Sequence, residues 1–181
     1  HFIKLGCEFI VCDFRGYGRS DGVPTLKSSL KDASTIYYYL RDNKFLKKNV
    51  CVMGRSLGSA SAIELCSRVS EVTCCIIESG YADPIPLVER RGLNITNITS
   101  VEIALFSNSE KMRLVKCPIL IMHGEMDSLI SPREANLNYK NASSTHKKLV
   151  ILEEVGHNDI MMARDNAYFL CMSSFFSQVF R

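Results

Sequence analysis

At 181 residues the chain has the length of one domain, and with 46% of its residues apolar it can bury a core. A net charge of +3, dispersed along the chain, excludes a nucleic-acid partner recruited by basic density. The apolar runs reach only about five or six residues, against the ~20 that a membrane-spanning helix needs.

Taken in chain order, residues 7–13 (CEFIVCD) read as a buried strand. The glycine-bearing stretch that follows, D-F-R-G-Y-G-R-S-D-G, reads as a tight loop beside any site at the carboxyl ends of the strands. Its Gly16 and Gly18 do not complete a dinucleotide fingerprint, because the third glycine is out of register and no helix opens on it. Pro24-Thr25 opens an amphipathic helix. Leu26, Leu30, Ala33, Ile36, Tyr37 and Leu40 recur on it at steps of three and four. Residues 49–53 form the next strand, rich in β-branched side chains.

Gly54-Arg55-Ser56-Leu57-Gly58 comes next, and then small, helix-compatible residues to about 69. G-x-S-x-G between a strand and a helix is the context of a nucleophile elbow. The glycines let backbones approach closely, the turn lifts the Ser56 hydroxyl clear of the sheet, and the helix N-terminus faces a developing oxyanion. Taken alone, the motif also fits a glycine-rich turn with a solvent-facing serine.

A strand over 72–78 follows. Residues 81–116 then break the strand–helix rhythm, carrying Pro84, Pro86, Arg90 and Arg91, and read as an insertion that either covers a site or is a plain surface excursion. Its Leu87, Val88, Leu93, Ile95, Ile98, Ile103, Leu105 and Phe106 either line an apolar ligand pocket or pack the segment onto the body. A strand over 118–123 precedes Ser131-Pro132, an N-cap with proline at the first helical position. A strand over 148–152 and a helix over 159–180 close the chain. Near-continuous apolar strands alternating with helices mean a mostly parallel α/β sheet flanked by helices.

A serine hydroxyl needs a base, and the base an orienting acid. In a parallel sheet these come from loops at the carboxyl ends of strands. The loop after 118–123 offers Asp127, with Glu125 as a rival; Glu78 ends an earlier strand and is another. The loop after 148–152 offers His157, which otherwise begins the last helix with Asn158 or Asp159 as cap. His123, at a strand end, reads as a packed, hydrogen-bonded residue. A zinc site from His123, Asp127 and His157 is conceivable, but their spacing matches no metal motif, so neither metal nor cofactor is expected. The eight cysteines show no C-x-x-C spacing and read as buried free thiols of a reducing, cytoplasmic setting. Three glycosylation sequons, at Asn94, Asn97 and Asn141, are the opposing signal.

D-F-R-G-Y-G-R-S-D-G, G-R-S-L-G-S, H-G-E-M-D-S-L-I and G-H-N-D, in this order, resemble the α/β-hydrolase superfamily. They are most similar to its eukaryotic α/β-hydrolase-domain branch, which includes protein depalmitoylases and lysophospholipid or monoacylglycerol lipases. The resemblance implies one α/β-hydrolase domain over 1–181 with a cap-like insertion at about 81–116. It implies Ser56 as nucleophile, Asp127 as acid, His157 as base and the Leu57 N–H as one oxyanion donor. It also implies a small-molecule or acylated substrate, an ester or thioester. Family members carry further strands before 7–13, and the loop after the third of them gives the second oxyanion donor. Residues 1–6 resemble the tail of the first helix, so upstream residues are expected, with a gap in the sheet where the missing strand belongs. Peripheral membrane association is expected through an anchor in that upstream part. The alternative is a non-catalytic ligand-binding or scaffold protein on the same fold.

Overall fold

The computed structural model describes residues 2–90, 92 and 99–180. Four strands form one sheet in the order β1-β2-β3-β4: Cys51–Arg55, Cys74–Glu78, Ile119–Gly124 and Lys147–Leu152. Every pairing is parallel, with Cys51 beside Cys74, Cys75 beside Ile119, and Ile119 beside Lys147. Both central strands are buried along their whole length, as the unbroken apolar runs require of a sheet covered on both faces.

Strand alternation divides the core in two. Cys75, Ile77, Ile119 and Ile121 point to one face, where Ile63 and Leu65 of α2 (Gly58–Arg68), Met112 of α5 (Asn108–Met112) and Ala135 of α6 (Pro132–Asn141) cover them. Cys74, Ile76, Leu120 and Met122 point to the other, against Tyr168, Met172, Phe175 and Phe176 of α7 (Ala167–Val179). Helix α1 (Leu26–Asp42) packs outside α2 and places Tyr37 in the first core.

The helix starts follow local chemistry. Thr25 caps α1 in a reciprocal box with Ser28, and Ser131 caps α6 with Pro132 behind it. Helix α7 begins later than its periodicity suggests. Two 3-10 turns, Ile160–Met162 and Arg164–Asn166, occupy the first part of the expected helix. Asp165 and Asn166 both lie at positive φ, which no α-helix accommodates.

The expected strand over 7–13 is absent. Phe9, Ile10 and Val11 are exposed instead. Residues 7–13 join no ladder: β1 and β4 each keep one edge open among the described strands, and the segment pairs with neither. Apolar content made the segment strand-like, but a strand exists only with a partner. Cys12 is likewise exposed, whereas Cys66, Cys74 and Cys75 are buried free thiols.

The described residues within 81–116 include three short helices, α3 (Pro84–Glu89), α4 (Ser100–Phe106) and α5. Leu87, Leu105 and Phe106 pack against a small cluster of Leu30, Ala60, Tyr81 and Ile130, so these three anchor the segment to the body. Ile103 is exposed. Leu93, Ile95 and Ile98, the sequons at Asn94 and Asn97, and Arg91 lie outside the described residues. Lys111 of α5 and Arg68 of α2 both pair with the buried Glu64. Burial works against that carboxylate, but the hydrogen bond from Lys111 and then that from Arg68 outweigh it and hold its pKa below the ordinary value. No helix among the described residues is long and apolar enough to cross a membrane.

Candidate active site

The carboxyl ends of β1, β3 and β4 carry the residues singled out in the sequence. Ser56 follows β1 directly and takes φ 52°, a left-handed conformation that a serine adopts only under constraint. Its N–H donates to the Glu78 carbonyl at 2.9 Å, which extends the β1–β2 ladder by one bond and then releases the chain into α2. The two motif glycines play unequal parts. A Cβ on Gly54 would meet the Gly58 carbonyl oxygen at 2.5 Å and the Ala62 methyl at 2.6 Å, so strand and helix can cross only over a bare Cα. A Cβ on Gly58 would meet nothing within 4 Å.

His157 sits in the turn after β4 and joins the other two residues. Its Nε2 lies 2.9 Å from Ser56 Oγ and its Nδ1 2.7 Å from Asp127 Oδ2. His157 and Asp127 are buried, and Ser56 is half-buried. With the carboxylate on Nδ1, that nitrogen carries the proton and donates it. Nε2 is then the free base facing the hydroxyl. The Asp127 carboxylate is filled on both sides. Its Oδ1 accepts from the backbone N–H groups of Leu129 and Ile130 at 2.9 and 2.8 Å, which leaves Oδ2 aimed at the imidazole. The loop bearing His157 is tied by Asp159, whose Oδ1 accepts from the Gly156 N–H at 2.7 Å. Asp159 thus shapes the histidine loop rather than capping a helix.

The rivals for the acid stand elsewhere. Glu125 is exposed and accepts from the Glu154 N–H. Glu78 is fully buried, but its carboxylate takes Arg55 Nε at 2.8 Å and the Tyr168 hydroxyl at 2.6 Å. Burial and the neighbouring Glu78 carboxylate push the Tyr168 hydroxyl's pKa upward, so it stays a donor.

His123 is fully buried, and its Nε2 donates to the Ile130 carbonyl at 2.8 Å while lying 3.2 Å from Asp127 Oδ2. It therefore closes the Asp127 loop from behind. Burial lowers its pKa below the ordinary histidine value, which keeps it neutral.

Two features escaped the sequence. A Cβ on Gly124 would meet the Val155 and Gly156 carbonyl oxygens at 2.5 and 2.6 Å, so this glycine allows the loop bearing Asp127 and the loop bearing His157 to touch. Only the H-G-E-M-D string hinted at it. The other is Arg55, the variable position of G-x-S-x-G, whose guanidinium spans from Glu78 to the His157 carbonyl.

The Leu57 N–H finds no acceptor among the described residues, and Leu57 precedes the first turn of α2 with no side-chain cap on the helix. Free N–H groups at a helix start favour an anion there. The loop over 13–22 folds on itself through Gly16 N–H bonds to the Ser20 and Asp21 carbonyls, and Arg15 pairs with Asp32 of α1. None of its described hydrogen bonds reaches Ser56, Asp127 or His157.

A sequence family described as serine aminopeptidase, S33 (Hydrolase_4) matches residues 86–162, a stretch that includes Asp127 and His157 but not Ser56. Protein bem46 of Schizosaccharomyces pombe is 28% identical over 98% of this chain and 60% of its own length. Human alpha/beta hydrolase domain-containing protein 17B is 28% identical over 87% of this chain and 52% of its own. The chain thus spans between half and two thirds of the length of these curated relatives. The Pyrococcus furiosus esterase Pf2001 superposes with a TM-score of 0.72 at 18% identity, covering 92% of this chain and 69% of the esterase. At that identity the likeness establishes the fold, which is that of the α/β hydrolases.

Proposed function

We propose that the chain is a member of the α/β-hydrolase superfamily, whose fold it shares, and a serine hydrolase cleaving carboxylic esters or thioesters through an acyl-enzyme. One observation carries the reading: a single imidazole bonds Ser56 Oγ through one nitrogen and the buried Asp127 carboxylate through the other. That is the arrangement that lets a hydroxyl lose its proton as it attacks.

In the proposed sequence Ser56 Oγ attacks the acyl carbonyl carbon while His157 Nε2 takes its proton. Asp127 holds the ring in the Nδ1–H form and stabilises the imidazolium. The free Leu57 N–H donates to the oxyanion, in a place where one donor is worth on the order of 100-fold in rate. The imidazolium then protonates the leaving alcohol or thiol, and water activated by the same nitrogen releases the acid. A long acyl chain, on a lipid or on a protein, is the substrate class we favour. A cap function for residues 81–116 belongs to the same proposal. Its described anchors, Leu87, Leu105 and Phe106, share a cluster with Ile130 of the acid loop. We place the full-length protein in the cytoplasm at a membrane surface, where such acyl groups reside.

The test is turnover by full-length protein on ester and thioester panels of graded acyl length, with a Ser56 adduct sought by mass spectrometry after acid quench. An acyl mass on the Ser56 peptide, absent in Ser56→Ala, is the expected result. Turnover that survives Ser56→Ala would contradict the mechanism. A folded protein that binds acyl ligands without turnover would favour a ligand-binding role.

A further inference from the structure

Arg55 occupies the variable position of the G-x-S-x-G motif, where any side chain satisfies the turn. Here it does something specific. Its Nε donates to Glu78 Oε1 at 2.8 Å, while its Nη2 donates to the His157 carbonyl at 2.6 Å and lies 3.2 Å from Asn158 Oδ1. Glu78 in turn is fully buried, and its second oxygen is taken by the Tyr168 hydroxyl at 2.6 Å. The Glu78 backbone carbonyl also holds the Ser56 N–H. Residue 78 therefore grips the nucleophile through its main chain and the base loop through its side chain and Arg55.

We propose that Arg55 is a positioning residue for His157: its guanidinium, anchored on Glu78, fixes the His157 carbonyl and so keeps the imidazole on Ser56 Oγ. The inference rests on the serine-hydrolase reading above. Its physical basis is the shape of the guanidinium, a planar fork whose donors point in fixed, different directions. One edge neutralises the buried carboxylate, and another reaches across to a loop about a hundred residues away in sequence. A plain structural role, neutralising Glu78, needs only a positive charge, and a lysine supplies that. Spanning two acceptors at set angles needs the fork.

The experiment is therefore a cycle of Arg55→Lys with His157→Ala in the full-length protein, read as kcat and KM on an activated aryl ester, with melting temperature as the check on folding. Arg55→Lys should lower kcat by roughly tenfold to a hundredfold, as displacement of a reacting group by about an ångström does, with KM changed by less than about twofold. In the His157→Ala background the same change should do nothing further, since there is no imidazole left to position. The same cycle with Arg55→Gln repeats the test in case the lysine variant does not fold. An unchanged kcat in Arg55→Lys, or an equal loss in both backgrounds, overturns the inference, the second because it would mean that the elbow itself had been disturbed. Wild-type protein without Ser56-dependent turnover would instead sink the hydrolase reading, a result that no behaviour of Arg55 variants can mimic.

Discussion

Replacing Gly124 by alanine strikes the contact between the two loops that carry Asp127 and His157. The added Cβ would sit 2.5 Å from the Val155 carbonyl oxygen and 2.6 Å from that of Gly156. Carbon and oxygen rest no closer than about 3.3 Å, so each carbonyl must retreat by about 0.7–0.8 Å. Both are backbone atoms, and no side chain can rotate away to relieve the clash. Gly156 immediately precedes His157, whose Nδ1 stands 2.7 Å from Asp127 Oδ2 and whose Nε2 stands 2.9 Å from Ser56 Oγ. A shift of that size passed to His157 stretches one of those bonds beyond about 3.5 Å, outside the range of a hydrogen bond. Overpacking of this kind costs about 1–3 kcal/mol of stability, and misplacing a reacting group by an ångström costs about 100-fold in rate. The assay is kcat on an activated ester beside a thermal melt. Gly124→Ala should melt earlier, stay folded at 25 °C, and lose about two orders of magnitude in kcat. Activity within about threefold of wild type would refute the claim that this glycine sets the spacing of the two loops.

Other substitutions follow from the same structure. Gly58→Ala meets open space, so stability should change by no more than about 0.5 kcal/mol by chemical denaturation, whereas Gly54→Ala should abolish the native transition or the activity. Lys111→Met removes the more deeply buried of the two cations that pair with Glu64 and leaves the exposed Arg68 as its remaining partner. We expect a loss of about 2–3 kcal/mol at neutral pH by urea titration. Because the Glu64 pKa is lowered in the folded state, its contribution is present above the ordinary carboxylate pKa of 4.5 and is lost as pH falls through the folded value, so wild type and variant should converge in acid. His123 also has a lowered folded pKa, through burial, so the stabilisation from its neutral form is complete above pH 6.5 and declines as pH falls below it. Melts of His123→Asn between pH 8 and 5 should lack that share of the acid sensitivity.

The sequence carried the parts of the fold that local rules govern. Apolar runs over residues 72–78 and 118–123 became the two central strands because both their faces are buried. Thr25 and Ser131 stand where caps belong because their oxygens serve the backbone within three residues. Ser56, Asp127 and His157 were legible because each lies in a loop that directly follows an apolar strand, and the structure brings them into contact. What local pattern could not supply is pairing. Residues 7–13 have the composition of a strand and no ladder partner. The positive φ of Asp165 and Asn166 interrupts a helix whose periodicity runs on unbroken. Nothing near Gly124 in the sequence marks its role, because the atoms that demand a glycine belong to Val155 and Gly156, about thirty residues later. Arg55 was invisible for the same reason: its partners stand 23 and 102 residues away.

The most direct test of the central claim is labelling of the full-length protein by a fluorophosphonate probe, beside Ser56→Ala, His157→Ala and Asp127→Asn. The account predicts fast labelling of wild type, none of Ser56→Ala, and labelling slowed by about 100-fold or more in the other two, because each loses the proton path from the hydroxyl. Labelling of wild type that is indifferent to His157 and Asp127, or no labelling of the folded protein at all, would contradict it.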